Sequence, residues 1–337
     1  MENKVVDTQK CGVDIAKFLC AILVVCIHTH PLQYGTTPDF YFNCFCRIAV
    51  PFFFVTSSYF YYTRGGQINK YVRRLLILYA CWFVVEIPFT IKVYFFDADG
   101  SLLLNSLKFI RGLMINNSFF ASWFLIALIE GMVIIHMLEK KHTILLYIIG
   151  ASCFVLGLLW CMWYGLISGT WFEKYYHYFG IVVMPAQSFI IAIPYLIIGK
   201  LIAENKISKI PSLLCFFFVI LAIVEVHICK NSFNKPFDDV SLSLVPLTII
   251  LFQLSSKIRI AETSQIFPIC RFLRKSSIMI YLLHPIFVYV FLQMGLFQKE
   301  SVINSLSLFL TVFLCSFLCS SLIIVASQRI KLLKYMY

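Results

Sequence analysis

Charge is what this sequence lacks. Of its 337 residues, 13% are Asp, Glu, Lys or Arg, and only 16 are acidic. Soluble domains carry about 25% charged residues, so this chain cannot coat a water-facing surface of its own size. Disordered tracts and coiled coils need more charge still, which excludes both. Internal repeats, low-complexity tracts, an appended polar domain and a metal-type CxxC pair are also missing. The 13 cysteines are odd in number and sit mostly in apolar runs, as do Cys20, Cys26, Cys153 and Cys215. They act there as small hydrophobes rather than as disulfide partners or metal ligands, and no metal is expected. What is abundant is apolar surface: 61% of residues are hydrophobic, and the mean hydropathy is +0.87. No single water-soluble core hides that much, so the chain is read as an integral membrane protein.

A membrane span needs ~20 mostly apolar residues. Ten such stretches occur, at about 13–31, 40–62, 74–96, 119–137, 143–163, 179–202, 211–229, 240–256, 276–296 and 302–326; 211–229 and 240–256 are the weaker two, for Glu225 and short length. The polar start, MENKVVDTQKCGVD, precedes a first span without a small-residue cleavage signature, so that span is expected to stay as a helix. The net charge is +12. Its cations cluster between apolar runs without a basic stripe or aromatic platform, which points to the inner membrane face and not to nucleic acid. With the N-terminus inside, nineteen Lys and Arg fall in inner segments and six in outer ones, while Lys17, Arg47 and Lys92 lie within spans. That asymmetry predicts an all-α bundle of about ten transmembrane helices with both termini cytoplasmic and a polar cavity inside.

Ionisable groups in a bilayer cost about 2.5–3.5 kcal/mol each on insertion scales, so each is a site candidate. The first span carries Asp14, Lys17 and His28. Lys17 and His28 are three turns apart, on one face and roughly 16 Å apart along the axis, with Asp14 one turn before Lys17. Two readings stand: a snorkelling lysine with an interfacial histidine, or a cation and a base along a polar path. The second span contains RIAVPFFFVTSSYF, with Arg47 in its outer third near the depth of His28, as an anchor or as a cation facing a cavity. Pro51 either kinks that helix or frees a carbonyl for use. Ser57 and Ser58 are expected mainly to pack helices. The ninth span, KSSIMIYLLHPIFVYV, sets Ser277, Tyr281 and His284 about one turn apart near mid-membrane, lining a cavity or bonding between helices. Of the further charges Glu86, Lys92, Glu130 and Glu225, Glu130 is the cavity candidate. His30, His136, His142, His177 and His227 are expected at interfaces or in loops, with no role in a site.

Taken together, these residues resemble a known pattern. Asp14-x-x-Lys17, ten residues and His28 resemble the first-helix signature of the acyltransferase-3 family of bacterial membrane acyltransferases, whose usual form is Arg, ten residues, then His. Arg47-Ile-Ala-Val-Pro51-Phe-Phe-Phe-Val-Thr-Ser57-Ser58 is similar to that family's Arg…Val-Pro-x-Phe-Phe-x-x-Ser-Gly segment. Trp123-Phe124-Leu125, Pro194-Tyr195…Gly199 and Ser277…Tyr281-Leu-Leu-His284 follow in order and in approximate spacing, so the resemblance covers essentially the whole chain. Lys17 stands where the family has Arg, keeping the charge without the planar fork. Ser58 stands where it has Gly, which limits close helix approach there.

The resemblance implies transfer of an acyl group, by default acetyl, from cytoplasmic acyl-coenzyme A to a hydroxyl of a cell-envelope carbohydrate or related acceptor, in the bacterial cytoplasmic membrane. Acetyl-coenzyme A would be the donor substrate. Lys17 and Asp14, with Arg73 and Arg74, would hold it at an inner rim; a lysine binds phosphate as a point charge. His28 would act as general base, or be acylated itself, and Arg47 would stabilise the oxyanion or hold an acidic sugar. Glu130, Ser277, Tyr281 and His284 would line the cavity. A separate extracytoplasmic partner would complete the transfer if it is not direct. Two alternatives belong to other classes: a transporter or flippase of a polar small molecule, and a non-catalytic component of an envelope-glycan assembly complex.

Overall fold

In hydrocarbon a backbone must satisfy its own N–H and C=O groups, so long apolar runs become helices. A computed structural model describes residues 8–116, 122–211, 213–233, 240–297 and 301–337. Lys4, Lys235 and Lys299 of the charge reading lie outside these residues, as do the first positions of the 119–137 stretch and position 212.

Thirteen α-helices follow in chain order among the described residues: α1 (Cys11–Thr29), α2 (Thr37–Cys46), α3 (Ala49–Thr63), α4 (Ile68–Ile91), α5 (Leu102–Arg111), α6 (Trp123–Leu138), α7 (Thr143–Trp160), α8 (Trp171–Val183), α9 (Phe189–Ala203), α10 (Leu214–Ser232), α11 (Leu244–Lys257), α12 (Phe267–Gln293) and α13 (Val302–Ala326). One antiparallel two-residue pairing, Thr8–Gln9 with Ile260–Ala261, ties the N-terminus to the segment before α12. Among the described residues, seven helical segments are long and apolar enough to cross a bilayer, eight if the bent pair of α8 and α9 is one span. The other two expected passages correspond to α6 and α11, which are apolar but only 16 and 14 residues long.

Several boundaries have local causes. The Thr36 hydroxyl caps α2 by accepting from the Asp39 N–H, and Pro38 sits in its first turn. The expected single helix over 40–62 is instead broken at Arg47–Ile48 into α2 and α3. Pro51 therefore lies in the first turn of α3, where a missing N–H costs no intrahelical bond; it starts a helix and does not kink one. Between α8 and α9 the chain bends 41° through Met184, which has φ 48°, and the turn Pro185–Gln187.

The centre of the bundle is α1 against α12, α3 against α9, and α12 against α13. At the α3–α9 crossing the Ser58 hydroxyl donates to the Leu196 carbonyl at 2.6 Å. A Cβ on Gly199 would lie 2.4 Å from the Val55 carbonyl oxygen. The expected limit on close approach at Ser58 is thus absent, because α9 supplies the missing glycine and Ser58 supplies an interhelical hydrogen bond.

Two polar clusters fasten the periphery. At the ends of α3, α6 and α9, Glu139 accepts from Tyr62 at 2.7 Å and from Lys200 at 2.8 Å, while Lys200 also pairs with Glu204 at 2.8 Å. Burial pushes the Glu139 and Glu204 carboxyls up, but the Lys200 ammonium more than offsets this and holds both below the usual carboxylate range. On α10, buried Glu225 accepts from the Trp163 indole at 2.8 Å and from the N–H groups of Leu242 and Ser243 at 2.7 and 2.9 Å, just before α11. That carboxylate serves the start of a helix and is not a cavity charge.

Candidate active site

A cavity of about 820 Å³ opens among α1, α3, α4, α6 and α12. Its rim carries six cations, Lys17, Arg64, Lys70, Arg74, Arg274 and Lys275, against one carboxylate, Asp14. Asp14 is buried, with its Oδ2 3.9 Å from Arg274 Nη1. Lys17 and Arg64 both approach the Phe60 ring, at 5.2 and 5.0 Å from its centre, so one aromatic positions two cations. Tyr337 reaches the same rim: its ring lies 4.6 Å below Lys275 Nζ and its hydroxyl is 2.7 Å from Ser327 Oγ. Such a rim attracts a polyanion.

Deeper in, the walls turn aromatic. Phe53, Phe124 and Tyr281 meet edge-on, with centroids 5.4 to 6.0 Å apart, and form the floor. Ser277 and Tyr281 line the cavity one turn apart on α12. Behind Tyr281, at 6.0 Å between ring centres, lies His284, fully buried. Its Nδ1–H donates to the Ile280 carbonyl at 3.1 Å, and its Nε2 has no hydrogen-bond partner among the described residues. Pro285 follows, lacking the N–H that would bond the Tyr281 carbonyl and so loosening this turn. Beyond His284 stands His28, on the last turn of α1, its ring centre 5.0 Å away and its side chain exposed. The order from the rim is therefore cations, aromatic floor, His284, His28.

Three sequence expectations change. Arg73 does not line the cavity; it faces a groove between α4 and α6, because each helical residue turns 100° from the last and Arg74 takes the cavity face. Glu130 does not line it either. It lies two residues past the cavity-facing Leu128, on the far side of α6 and next to Gly131, whose position packs on α9. His284 sits behind the lining. Arg47 occupies the turn between α2 and α3, beside the cluster of Cys26, Ile27 and Cys46 that joins this turn to the end of α1.

Sequence reasoning passed over Arg64, Lys70, Arg274 and Lys275 as site residues, although all four stand in the inner basic clusters that set the charge asymmetry. It also set aside His30, whose Nδ1 lies 2.8 Å from buried Asp39 Oδ2 and 3.0 Å from Asn43 Nδ2. The only cue is the Thr36-Thr37-Pro38-Asp39 helix start that places Asp39. Buried Glu86 on α4 is met by the Ser122 hydroxyl at 2.6 Å. No group of three metal-ligating side chains occurs among the described residues.

The family model described as an acyltransferase domain matches residues 12–325. Two relatives named "Amino-acid racemase" from Enterococcus faecalis are 29% identical over 47% of this chain and 23% identical over 83% of it. A "Serine/alanine racemase" from Enterococcus gallinarum is 25% identical over 81% of this chain. The matches cover 23%, 41% and 40% of those proteins, so this chain spans less than half the length of each relative. No solved structure matches. With nearly its whole length under one family model, the chain is a multi-pass membrane protein that belongs to the acyltransferase-3 family.

Proposed function

We propose that the chain transfers an acyl group, acetyl by default, from cytoplasmic acyl-coenzyme A to a hydroxyl of an envelope carbohydrate or related acceptor. The observation that carries this reading is the cavity: a six-cation rim over an aromatic floor, with His284 and then the exposed His28 beyond it. Acyl-coenzyme A has the matching shape, an anionic nucleotide followed by a thin arm with the thioester at its tip. Lys17, Arg74, Arg274 and their neighbours hold the phosphates; Asp14 keeps Arg274 in place. Both termini and this rim face the cytoplasm of a bacterial cell, and α6 and α11 complete ten passages.

In this mechanism the acceptor oxygen attacks the thioester carbonyl while His28 takes its proton. The carbon–sulfur bond breaks, and the thiolate leaves and receives the proton, so the histidine is restored. Imidazole suits this step because its unperturbed pKa, ~6.5, is near working pH. Arg47, close to the end of α1, stabilises the developing oxyanion. Because Phe53, Phe124 and Tyr281 meet across the floor, one of these rings moves aside for the arm to pass.

Binding of labelled acetyl-coenzyme A to purified protein, with its slow hydrolysis, tests the proposal. Binding that weakens in Lys17→Ala and thioester loss that vanishes in His28→Ala support it. Absence of binding across several acyl-coenzyme A donors would overturn it. One observation favours a second reading: the relatives are named for racemase chemistry, and the shared part is under half of each. A bundle that carries a small polar molecule of the amino-acid class would serve such proteins equally, and substrate flux in proteoliposomes discriminates the two.

A further inference from the structure

The groove that takes Arg73 is a second concavity, of about 570 Å³, between α4 and α6. Its polar groups stand at one end: Asn69 and Arg73 on α4, and His136 on α6. These lie at the same end of the bundle as the cationic rim, since Arg74 is the next residue. Its remaining length is apolar. Leu76, Ile77 and Ala80 continue the α4 stripe, and Met137 borders it from α6. Asn69 to Ala80 is eleven residues, or roughly 16 Å of helix. Helical side chains lean toward the N-terminus, which carries the Arg73 guanidinium away from the apolar stretch and toward the helix start. Leu76 and Met137 are 49% and 69% exposed, so the groove opens outward, to the side where lipid lies in a membrane protein.

We propose that this groove seats an anionic phospholipid, its phosphate between Arg73, Asn69 and His136 and one acyl chain along Leu76, Ile77 and Ala80. Charge favours that occupant. His136 Nδ1 lies 3.2 Å from Glu139, but that carboxylate is outside the groove lining, and it and Glu204 are together balanced by Lys200 and Lys206, at 2.7 to 2.8 Å. The groove end is therefore cationic through Arg73, and basic pockets between transmembrane helices select anionic headgroups. The inference rests on the membrane fold and the groove alone, so it stands or falls separately from the donor reading.

The test uses the full chain in nanodiscs or detergent, with native mass spectrometry of retained lipid. Wild type is expected to retain phosphatidylglycerol over phosphatidylcholine. Arg73→Gln should reduce that preference about fivefold, the size of one cation at a lipid headgroup, and Arg73→Lys should restore most of it. Lys141→Gln, an exposed cation off the groove, should leave it intact. Leu76→Trp, which fills the apolar stretch and keeps Arg73, should lower retention of both lipids; this variant covers the case in which Arg73→Gln fails to fold. Equal retention of the two lipids by wild type would overturn the inference. So would an undiminished preference in Arg73→Gln, displacement of lipid by inorganic phosphate, or a dimer mass in place of bound lipid.

Discussion

The imidazoles of His28 and His284 stand 5.0 Å apart between ring centres, tilted by 40°, one on α1 and the other on α12. One is exposed and the other buried, so in the proposed mechanism His28 meets the acceptor and His284 supports it. Replacing His28 with Ala should therefore lower transfer by about 10²–10⁴-fold, the range for a general base, with expression unchanged. His284→Gln should lower kcat by less and leave the donor KM alone. A His28→Ala protein that turns over normally would remove this histidine from the chemistry.

In the proposed mechanism the rim binds the donor and leaves the chemistry to the histidine. Lys17→Ala and Arg274→Gln should each raise the donor KM by about five- to tenfold, with a smaller change in kcat, because each removes one charge-assisted contact to an anion. An unchanged KM in steady-state assays would take that residue out of the donor site.

The aromatic floor is open to direct trial. Phe124→Leu shortens one of three rings that meet at 5.4 to 6.0 Å. It should raise acceptor-independent hydrolysis of the thioester, since water then reaches the arm more easily. Hydrolysis at or below the wild-type rate would mean that the floor does not gate the cavity.

Glu225 makes a prediction about stability alone. It accepts one indole N–H and two backbone N–H groups, all within 2.9 Å. Glu225→Ala takes the acceptor from all three donors, of which the Ser243 N–H is buried, at a cost of about 2–3 kcal/mol, seen as a lower Tm in detergent. Trp163→Phe removes only one donor and should cost about 1 kcal/mol. Equal effects from the two would contradict the clamp.

Acid should weaken the Lys200 cluster. The carboxyls of Glu139 and Glu204 are held below their unfolded values, so the stability they contribute is complete above pH ~4.3. It fades as pH falls through their lower folded values. Lys200→Met removes the largest lowering cause at both carboxyls, so its Tm deficit against wild type should shrink between pH 7 and pH 3. A deficit that stays constant over that range would assign the effect to packing.

Much of this fold was legible because its signals are local. Apolar length marks a span without knowledge of any neighbour, and the 3.6-residue period alone puts Asp14, Lys17 and His28 near one line and Ser277, Tyr281 and His284 on another. Breaks were harder. The turn at Arg47–Ile48 carries no glycine, and Pro51 after it reads from sequence equally as a kink or as a first-turn proline; the shortness of α6, unlike that of α11, is not visible in hydropathy.

Composition and periodicity by themselves determined that the chain is helical, membrane-embedded and basic, and which polar residues share a helix. Only tertiary packing decided which of those residues meet. Arg73 and Arg74 are adjacent and chemically identical, yet one faces the cavity and the other a groove, because α4 packs on α6 on one side and opens beside α1 and α12 on the other. The same packing turned Glu130 away, set Gly199 opposite Ser58, and gathered six cations from separate elements onto one rim. Helix orientation about its own axis is fixed by contacts between segments far apart in sequence, and no local pattern encodes it.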